Sequence, residues 1–155
     1  MKIKHNQPFL DNIDAEIAKK VIISNKLVNG KYTKLFEEKI ANRHNLSEEN
    51  VACLSSGYAA LVLSSKLIFK KNSKVLIPNY GCRSIFQSLK FNKLNAKIID
   101  NEKLKHNASL DRIKKSNIKN LIYPHYFGIP TNINSLKKKK NNRRLFAIFW
   151  SKIIQ

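Results

Sequence analysis

The chain has 155 residues, 43% of them hydrophobic and 26% charged, so it can form one folded domain and is not a disordered chain. Thirty Lys and Arg residues against ten Asp and Glu residues give a formal net charge of +20. No unbroken apolar run is longer than that of residues 145–150, which is too short for a transmembrane helix, and no stretch typical of a signal peptide opens the chain. Cys53 and Cys82 are too few for a secreted disulfide framework, so we expect a soluble, cytoplasmic protein.

Hydrophobic periodicity predicts alternating helices and strands. Ile13, Ile17 and Val21 recur at i, i+4 and i+8, which is typical of one face of a helix. A short apolar run around Cys53 indicates a core strand, and the long apolar run after Gly57 indicates a buried helix. In chain order, the predicted elements are helix 11–24, helix 33–44, strand 51–54, helix 58–69, strand 74–77, helix 81–89, strand 96–99, helix 110–115 and strand 120–123.

Strands separated by helices predict right-handed crossovers and a mostly parallel sheet with helices on its faces. Ligands of such sheets bind at the carboxyl ends of the strands. Three loops, residues 55–57, 79–83 and 125–128, are therefore candidate parts of a binding site.

The loop Ser55-Ser56-Gly57 carries the clearest signal, because a strand, a small-residue turn and a helix together can hold an anion. The unpaired N–H groups and the positive dipole end of the helix would face that anion, which a buried helix would place at the centre of the protein. A structural alternative is that Ser56 merely caps the helix. The spacing matches neither a Walker loop nor a dinucleotide-binding glycine fingerprint.

Six blocks in this order resemble the N-terminal part of a known family: residues 29–30 (NG), 36–37 (FE), 55–61 (SSGYAAL), 75–80 (VLIPNY), 98–100 (IID) and 123–130 (YPHYFGIP). The family is DegT/StrS, the sugar aminotransferases that depend on pyridoxal 5′-phosphate (PLP), and the resemblance covers about residues 7–136. It implies a three-layer, mostly parallel α/β fold of the aspartate-aminotransferase type (fold type I), here incomplete. It also implies amino transfer, usually from glutamate, to a nucleotide-linked keto-sugar for surface polysaccharide or a similar glycoconjugate, by a homodimer.

The resemblance also assigns site residues by position. Residues of the serine–glycine loop would hold the cofactor phosphate: Ser56, Gly57, Tyr58 and Ala59. Cys82 would lie over the pyridine ring, and three residues would line the substrate side: Tyr80, His125 and Tyr126. The family usually has Thr at position 58 and an aromatic residue at position 82, so both positions depart from its pattern.

Two further landmarks of the family have no counterpart here. The aspartate that pairs with the pyridinium nitrogen is expected near Phe149 or Trp150, where no acid occurs, and the Schiff-base lysine would follow later; Lys152 does not match it. All ten acids lie at or before Asp111, and a lysine run begins at Lys137. We therefore predict an aminotransferase part over residues 1–136 and a basic tail over 137–155 that is out of frame or truncated, hence an inactive chain without catalytic residues.

Two other functions compete with this interpretation. The high charge would suit a small nucleic-acid- or polyanion-binding protein, although no nucleic-acid-reading motif is present and no specific nucleic-acid or membrane partner is expected. Cys82 and His125, on loops at the same sheet edge, could form a thiol enzyme, but no third orienting group is evident. The remaining histidines, His5, His44 and His106, lack the spacing of metal ligands, so no metal is expected.

Overall fold

The computed structural model describes residues 7–28, 30–137 and 144–149, which form two compact units divided between Cys53 and Leu54. Several residues discussed above lie outside the described ranges: His5, Asn29, residues 138–143 of the lysine-rich run, Trp150 and Lys152.

The first unit contains the two predicted helices, α1 (Asn12–Ile23) and α2 (Lys31–His44), and a 3-10 turn, Glu48–Asn50. Helix α1 begins with a capping box. The Asp11 carboxylate accepts the backbone N–H groups of Ile13 and Asp14 at 2.8 and 3.1 Å, and the Asp14 carboxylate accepts the N–H of Asp11 at 3.0 Å. These bonds satisfy helix donors that would otherwise lack partners, which explains why the helix begins where the sequence predicts.

The strand predicted over residues 51–54 is wrong. These residues are not part of any strand, and the backbone N–H of Cys53 donates to the Glu37 carboxylate at 2.7 Å. An apolar run becomes a strand only where a neighbouring strand accepts its backbone bonds, and none of the described strands pairs with this run. Cys53 is accordingly half-buried rather than a core residue.

The second unit is built on a four-stranded, fully parallel sheet in the order β2-β1-β3-β4. Its strands are β1 (Lys74–Pro78), β2 (Asn95–Ile99), β3 (Asn120–His125) and β4 (Arg144–Phe149). Its helices are α3 (Gly57–Ile68), α4 (Arg83–Phe91), α5 (Leu110–Lys115) and α6 (Asn134–Lys137). The predicted α/β class and parallel sheet are confirmed.

Strand β4 lies in the part of the chain that the sequence analysis assigned to a tail. It pairs with β3 along its full length, from Arg144 opposite Asn120 to Phe149 opposite His125. The sheet therefore continues beyond Leu136, where the predicted domain ends.

Side chains of the buried strands alternate between two apolar layers, as the pleat of a strand requires. One layer packs under α3 and α4 and contains Val75, Ile77, Ile85, Leu89 and Ile122. The other layer packs under α5 and contains Leu76, Ile113, Leu121, Tyr123 and Leu136. A parallel sheet covered on both faces gives the three-layer arrangement and explains why the central residues of β1 and β3 are apolar.

Helix α3 is less buried than its composition predicts. Only Ser65 within it is fully buried, while Leu63 and Leu67 are 41% and 75% exposed. Leu61 and Ile68 pack against the core, so one side of the helix is covered and the opposite side is not. The loop before it lies at the surface, and the prediction of an anion at the protein's centre is wrong. Among the described helices, none is long and apolar enough to cross a membrane.

Candidate functional site

The carboxyl edge of the sheet gathers the loops that the sequence analysis selected. The loop after β1 begins at Asn79, and the loop after β3 begins at Tyr126. Because β1 and β3 are paired neighbours, these loops are adjacent. Helix α4 follows β1 and helix α3 precedes it, so the N-termini of both helices lie at this same edge.

The N-terminus of α3 is open and partly unsatisfied. The Ser56 hydroxyl accepts the N–H of Ala59 at 3.1 Å, so Ser56 does cap the helix. The first intrahelical bond runs from the N–H of Ala60 to the Ser56 carbonyl at 3.1 Å, which leaves the N–H groups of Gly57 and Tyr58 without acceptors among the described residues. A Cβ added to Gly57 would meet nothing within 4 Å. The first turn can therefore accept an anion from outside.

Four rings form an aromatic cluster over the adjacent loops: Tyr80, His106, Tyr126 and Phe127. The ring centroids of Tyr80 and Tyr126 are 5.5 Å apart in an edge-on arrangement, and those of His106 and Phe127 are 4.8 Å apart. The cluster brings together two of the predicted substrate-side residues, Tyr80 and Tyr126. It also includes two residues that sequence reasoning did not select, because His106 lies in the loop after β2 and Phe127 is one of eight phenylalanines in the chain.

The backbone of Gly81 lies close to the ring of Tyr126. Its φ of 152° is rarely adopted by residues with a side chain, and an added Cβ would lie 1.7 Å from the Tyr126 hydroxyl oxygen. That oxygen is buried and has no hydrogen-bond partner among the described residues. Burial, followed by the nearby Cys82 and Tyr80 groups, raises the pKa of Tyr126 to about 12, so the hydroxyl is protonated at neutral pH and can donate.

Two asparagines tie the loops together. Asn107 accepts the N–H of Tyr126 at 3.2 Å and donates its amide to the Thr131 hydroxyl at 2.7 Å. Asn101 accepts the N–H of Tyr80 at 3.4 Å. Neither asparagine is predicted as a site residue from the sequence, because nothing in the local pattern distinguishes these two from the other asparagines of an asparagine-rich chain. Their side chains fix the loop after β2 to its neighbours.

Cys82 is exposed at the start of α4. The Ser84 hydroxyl donates to its sulfur at 3.0 Å, and this bond, supplemented by the Ser84 backbone, lowers the pKa of the Cys82 thiol. In contrast, burial and the Glu37 carboxylate raise the pKa of Cys53. The pKa of the Cys82 thiol therefore lies below that of Cys53.

We expect iodoacetamide to alkylate Cys82 faster than Cys53 at neutral pH, since the thiolate is the reacting form. Ser84→Ala removes the hydroxyl donor and should slow the alkylation of Cys82 several-fold, with no change at Cys53. Peptide mass spectrometry on the time course gives both rates, and Cys53 serves as the internal control. Equal rates at the two sites would contradict the prediction.

His125 is enclosed rather than presented at the open edge. Its ring is 1% exposed, 5.4 Å from the ring of Tyr123, and its Nδ1 accepts the N–H of Thr131 at 3.0 Å. Burial lowers the pKa of His125. The Cys82 sulfur accepts a hydrogen bond from Ser84, and the His125 Nδ1 accepts one from Thr131. The geometry therefore favours separate roles for Cys82 and His125 over a thiol–imidazole pair.

The free energy of unfolding should decrease as the pH is lowered through the range where histidine titrates in the unfolded chain. A lowered folded pKa means that the unfolded chain binds the proton more tightly, so the stabilisation is complete above about pH 6.5 and is lost progressively below it. His125→Gln keeps an acceptor for the N–H of Thr131 but cannot titrate. It should therefore reduce the pH dependence of the urea unfolding midpoint between about pH 5 and 6.5. The same pH slope in both proteins would show that His125 is not the titrating group.

Among the described residues, no group of three or more His, Cys, Asp or Glu side chains could hold a metal ion.

A parallel sheet with helices on both faces and an open helix N-terminus at its carboxyl edge defines an α/β domain suited to phosphorylated ligands. The chain belongs to the DegT/DnrJ/EryC1/StrS aminotransferase family, whose pattern matches residues 9–149. The match extends past residue 136, where the sequence analysis ended the resemblance, and includes β4. Among curated proteins, none matches the chain.

Solved structures share the fold at low sequence identity. The GDP-4-keto-6-deoxy-D-mannose-3-dehydratase of E. coli, with bound hydrated PLP, is 20% identical with a TM-score of 0.76, over 91% of this chain and 38% of that one. A variant of the same kind of dehydratase, ColD with bound GDP-perosamine, is 20% identical with a TM-score of 0.77, over 89% and 38%. The sugar aminotransferase CalS13 from Micromonospora echinospora is 19% identical with a TM-score of 0.73, over 86% and 38%.

The chain therefore spans about two fifths of the length of these solved relatives. Its fold is the three-layer, mostly parallel α/β fold of the PLP-dependent fold type I enzymes, present in part.

Proposed function

We propose that this chain is the N-terminal, phosphate-binding part of a PLP-dependent enzyme that acts on a nucleotide-linked keto-sugar. The observation that carries the proposal is the open first turn of α3, with the N–H groups of Gly57 and Tyr58 unsatisfied at the same sheet edge as Cys82. Membership of an aminotransferase family and the PLP and GDP-perosamine bound by two solved relatives support the choice of ligands.

The residues present fit the phosphate end of PLP. Two free N–H groups and the positive end of a 12-residue helix suit an anion, and Ser56 and Ala59 hold that turn in shape. Gly57 leaves open space where a side chain would otherwise stand. When bound, the cofactor would supply the electron sink for the chemistry. The Tyr58 side chain is 39% exposed and replaces the threonine usual in the family, so its backbone rather than its hydroxyl is the proposed contact.

The remaining predicted residues would act on the ring and substrate side. Cys82, exposed at the start of α4, would lie against the ring with less stacking area than an aromatic residue. Tyr80 and Tyr126 would line the substrate side, and the protonated Tyr126 hydroxyl could donate a hydrogen bond there. His125, enclosed beneath the same loop, would position residues near Thr131 instead of contacting substrate.

The finer assignments follow the family. They comprise glutamate as amino donor, surface polysaccharide or glycoconjugate synthesis, a homodimer and a cytoplasmic location.

We propose no catalytic residue within the chain, since the position expected for the pyridinium-pairing aspartate falls at Phe149 or Trp150. A chain with the phosphate site but no group to hold the ring nitrogen protonated would bind cofactor without turning over. Release of 2-oxoglutarate from glutamate in the presence of PLP should stay at the rate of free PLP.

The binding step can be tested with pyridoxine 5′-phosphate, which has no aldehyde to react with surface lysines. Phosphorus NMR should show saturable binding, and unphosphorylated pyridoxine should not compete. Gly57→Asp places a negative charge in the first turn, which favours the helix but repels phosphate, and it should weaken binding about tenfold or more. Gly57→Ala, whose methyl group meets open space, is the matched control. Equal binding by the Gly57→Asp and Gly57→Ala proteins would refute the proposed site.

A further inference from the structure

The amino edge of the sheet, at the opposite end from the site above, is strongly cationic. Residues 54–137 contain fifteen Lys and Arg residues but only three acids, all of them at or after the carboxyl end of β2. Each acid is already paired with a base: Asp100 with Arg112 at 3.1 Å, Glu102 with Lys105 at 2.6 Å and Asp111 with Lys114 at 3.8 Å. The amino edge therefore has no neutralising carboxylate among the described residues of this unit.

Hydrogen bonds between turns gather the lysines of this edge. The N–H of Asn72 donates to the Lys93 carbonyl at 3.2 Å, the Asn95 amide donates to the Asn72 carbonyl at 3.0 Å, and the Asn120 amide donates to the Lys74 carbonyl at 3.0 Å. These bonds join the segments that follow α3 and α4 to the starts of β1, β2 and β3. Exposed lysines on these segments form what we call the amino-edge cluster: Lys66, Lys70, Lys71, Lys74, Lys90, Lys93 and Lys119.

Helices α3 and α4 lie side by side on one face of the sheet, and both end at this edge. The Asn92 amide at the end of α4 donates to the Val62 carbonyl of α3 at 2.7 Å. Their inner faces pack on the sheet through residues such as Leu61 and Ile85. Their outer faces are therefore turned away from the core.

Helices α3 and α4 also expose large apolar side chains. They are Leu63 (41% exposed), Leu67 (75%), Phe86 (45%) and Phe91 (69%). Leu67 directly follows Lys66, and Phe91 directly follows Lys90. Exposed lysines and exposed apolar side chains are therefore neighbours at the ends of both helices. A helix C-terminus attracts lysines by itself, but that preference does not place leucine and phenylalanine in water beside them.

We propose that the amino-edge cluster, with Leu67 and Phe91, docks this domain on an anionic lipid bilayer. Lysines near such a surface are attracted by its negative potential, and apolar side chains enter the boundary between headgroups and acyl chains. A nucleic acid could contact the lysines and stack a base on Phe91, but the aliphatic side chains of Leu63 and Leu67 offer no stacking surface. A lipid bilayer explains the exposure of the leucines as well as that of the lysines and Phe91. Docking by this end leaves the carboxyl edge, with its open helix N-terminus, facing the water. A peripheral contact of this kind needs no spanning segment.

Sedimentation of the full chain with phosphatidylcholine vesicles containing about 30% phosphatidylserine tests the docking, and pure phosphatidylcholine vesicles are the reference. The charge variant replaces four cluster lysines by glutamine: Lys66, Lys70, Lys71 and Lys93. We expect a loss of about fivefold per lysine, so several-hundredfold in all. The matched control removes the same charge from the first unit by the same substitution at Lys19, Lys20, Lys26 and Lys34, and should lose far less. The basic run 137–144 is unchanged in both.

A second variant, Leu67→Ser with Phe91→Ser, keeps every charge and changes only exposed positions. It should weaken vesicle binding about tenfold or more while leaving binding to poly(U) RNA unchanged. Equal losses in the two lysine variants would show that only net charge acts and would overturn the proposal. So would vesicle binding that the serine variant leaves intact, or a concentration-dependent dimer that this variant abolishes without affecting vesicle binding. Thermal unfolding of each variant verifies that it is folded.

Discussion

Gly81→Ala is expected to destabilise the second unit by about 2–5 kcal/mol, combining backbone strain with overpacking. The added Cβ would lie 1.7 Å from the Tyr126 hydroxyl oxygen and 2.7 Å from the ring carbon that bears it. Alanine must also adopt a φ of 152°, which its side chain opposes. Either the loop after β1 or the Tyr126 ring has to move, and the contact between Tyr80 and Tyr126 moves with it.

Urea unfolding monitored by tyrosine fluorescence would measure this loss of stability. Gly57→Ala is the control, because its Cβ meets no atom within 4 Å and alanine favours a helix. Truncating the obstructing ring in Gly81→Ala/Tyr126→Ala should recover part of the stability relative to the sum of the two single variants. An unfolding midpoint for Gly81→Ala equal to that of Gly57→Ala would contradict the packing described here.

Tyr123→Ala is expected to cost about 3–5 kcal/mol, the usual loss when a large buried aromatic side chain is removed. Tyr123 is fully buried in β3 and packs in the layer under α5, where the surrounding strands leave little room to collapse. Its hydroxyl donates to the Ala108 carbonyl at 3.1 Å, which ties the loop after β2 to the core. A domain stable by about 5–15 kcal/mol would lose a large share of its stability.

Tyr123→Phe separates packing from hydrogen bonding. It keeps the ring and removes only the donor to Ala108, so it should cost about 1 kcal/mol, or somewhat more because a buried carbonyl loses its partner. Comparing the two variants by equilibrium unfolding gives the two contributions. Equal costs for the alanine and phenylalanine variants would mean that the ring contributes little to the core.

Local chemistry in the sequence was sufficient for most elements of the fold. Asp11 and Asp14 form the capping box that begins α1, and Ser56 caps α3 through the N–H of Ala59. Strands β1 and β3 were recognisable because both of their faces are buried, which makes their central residues a continuous apolar run. The failures were at elements whose state depends on distant neighbours. Residues 51–54 have the composition of a strand but pair with none of the described strands, and α3 has the composition of a buried helix but is covered on one side.

The candidate site divides in the same way. Ser56, Gly57 and Cys82 could be selected from loop chemistry and a family pattern, because each lies next to the end of a strand or the start of a helix. Asn107 and His106 could not, since their importance comes from side chains that reach across to Tyr126 and Phe127. The amino-edge lysines are likewise scattered over residues 66–119. They form one surface only because hydrogen bonds join the turns that precede β1, β2 and β3.

The sequence alone therefore determined the α/β class, the parallel sheet, the family and the residues beside each strand end, because capping, apolar runs and short motifs act over a few neighbouring positions. Only the tertiary structure decided that β4 joins the sheet, that His125 is enclosed, that Gly81 must lack a side chain and that one end of the sheet is cationic. Each of these depends on which atoms of remote segments come into contact, and backbone pairing and side-chain packing across the sheet set those contacts.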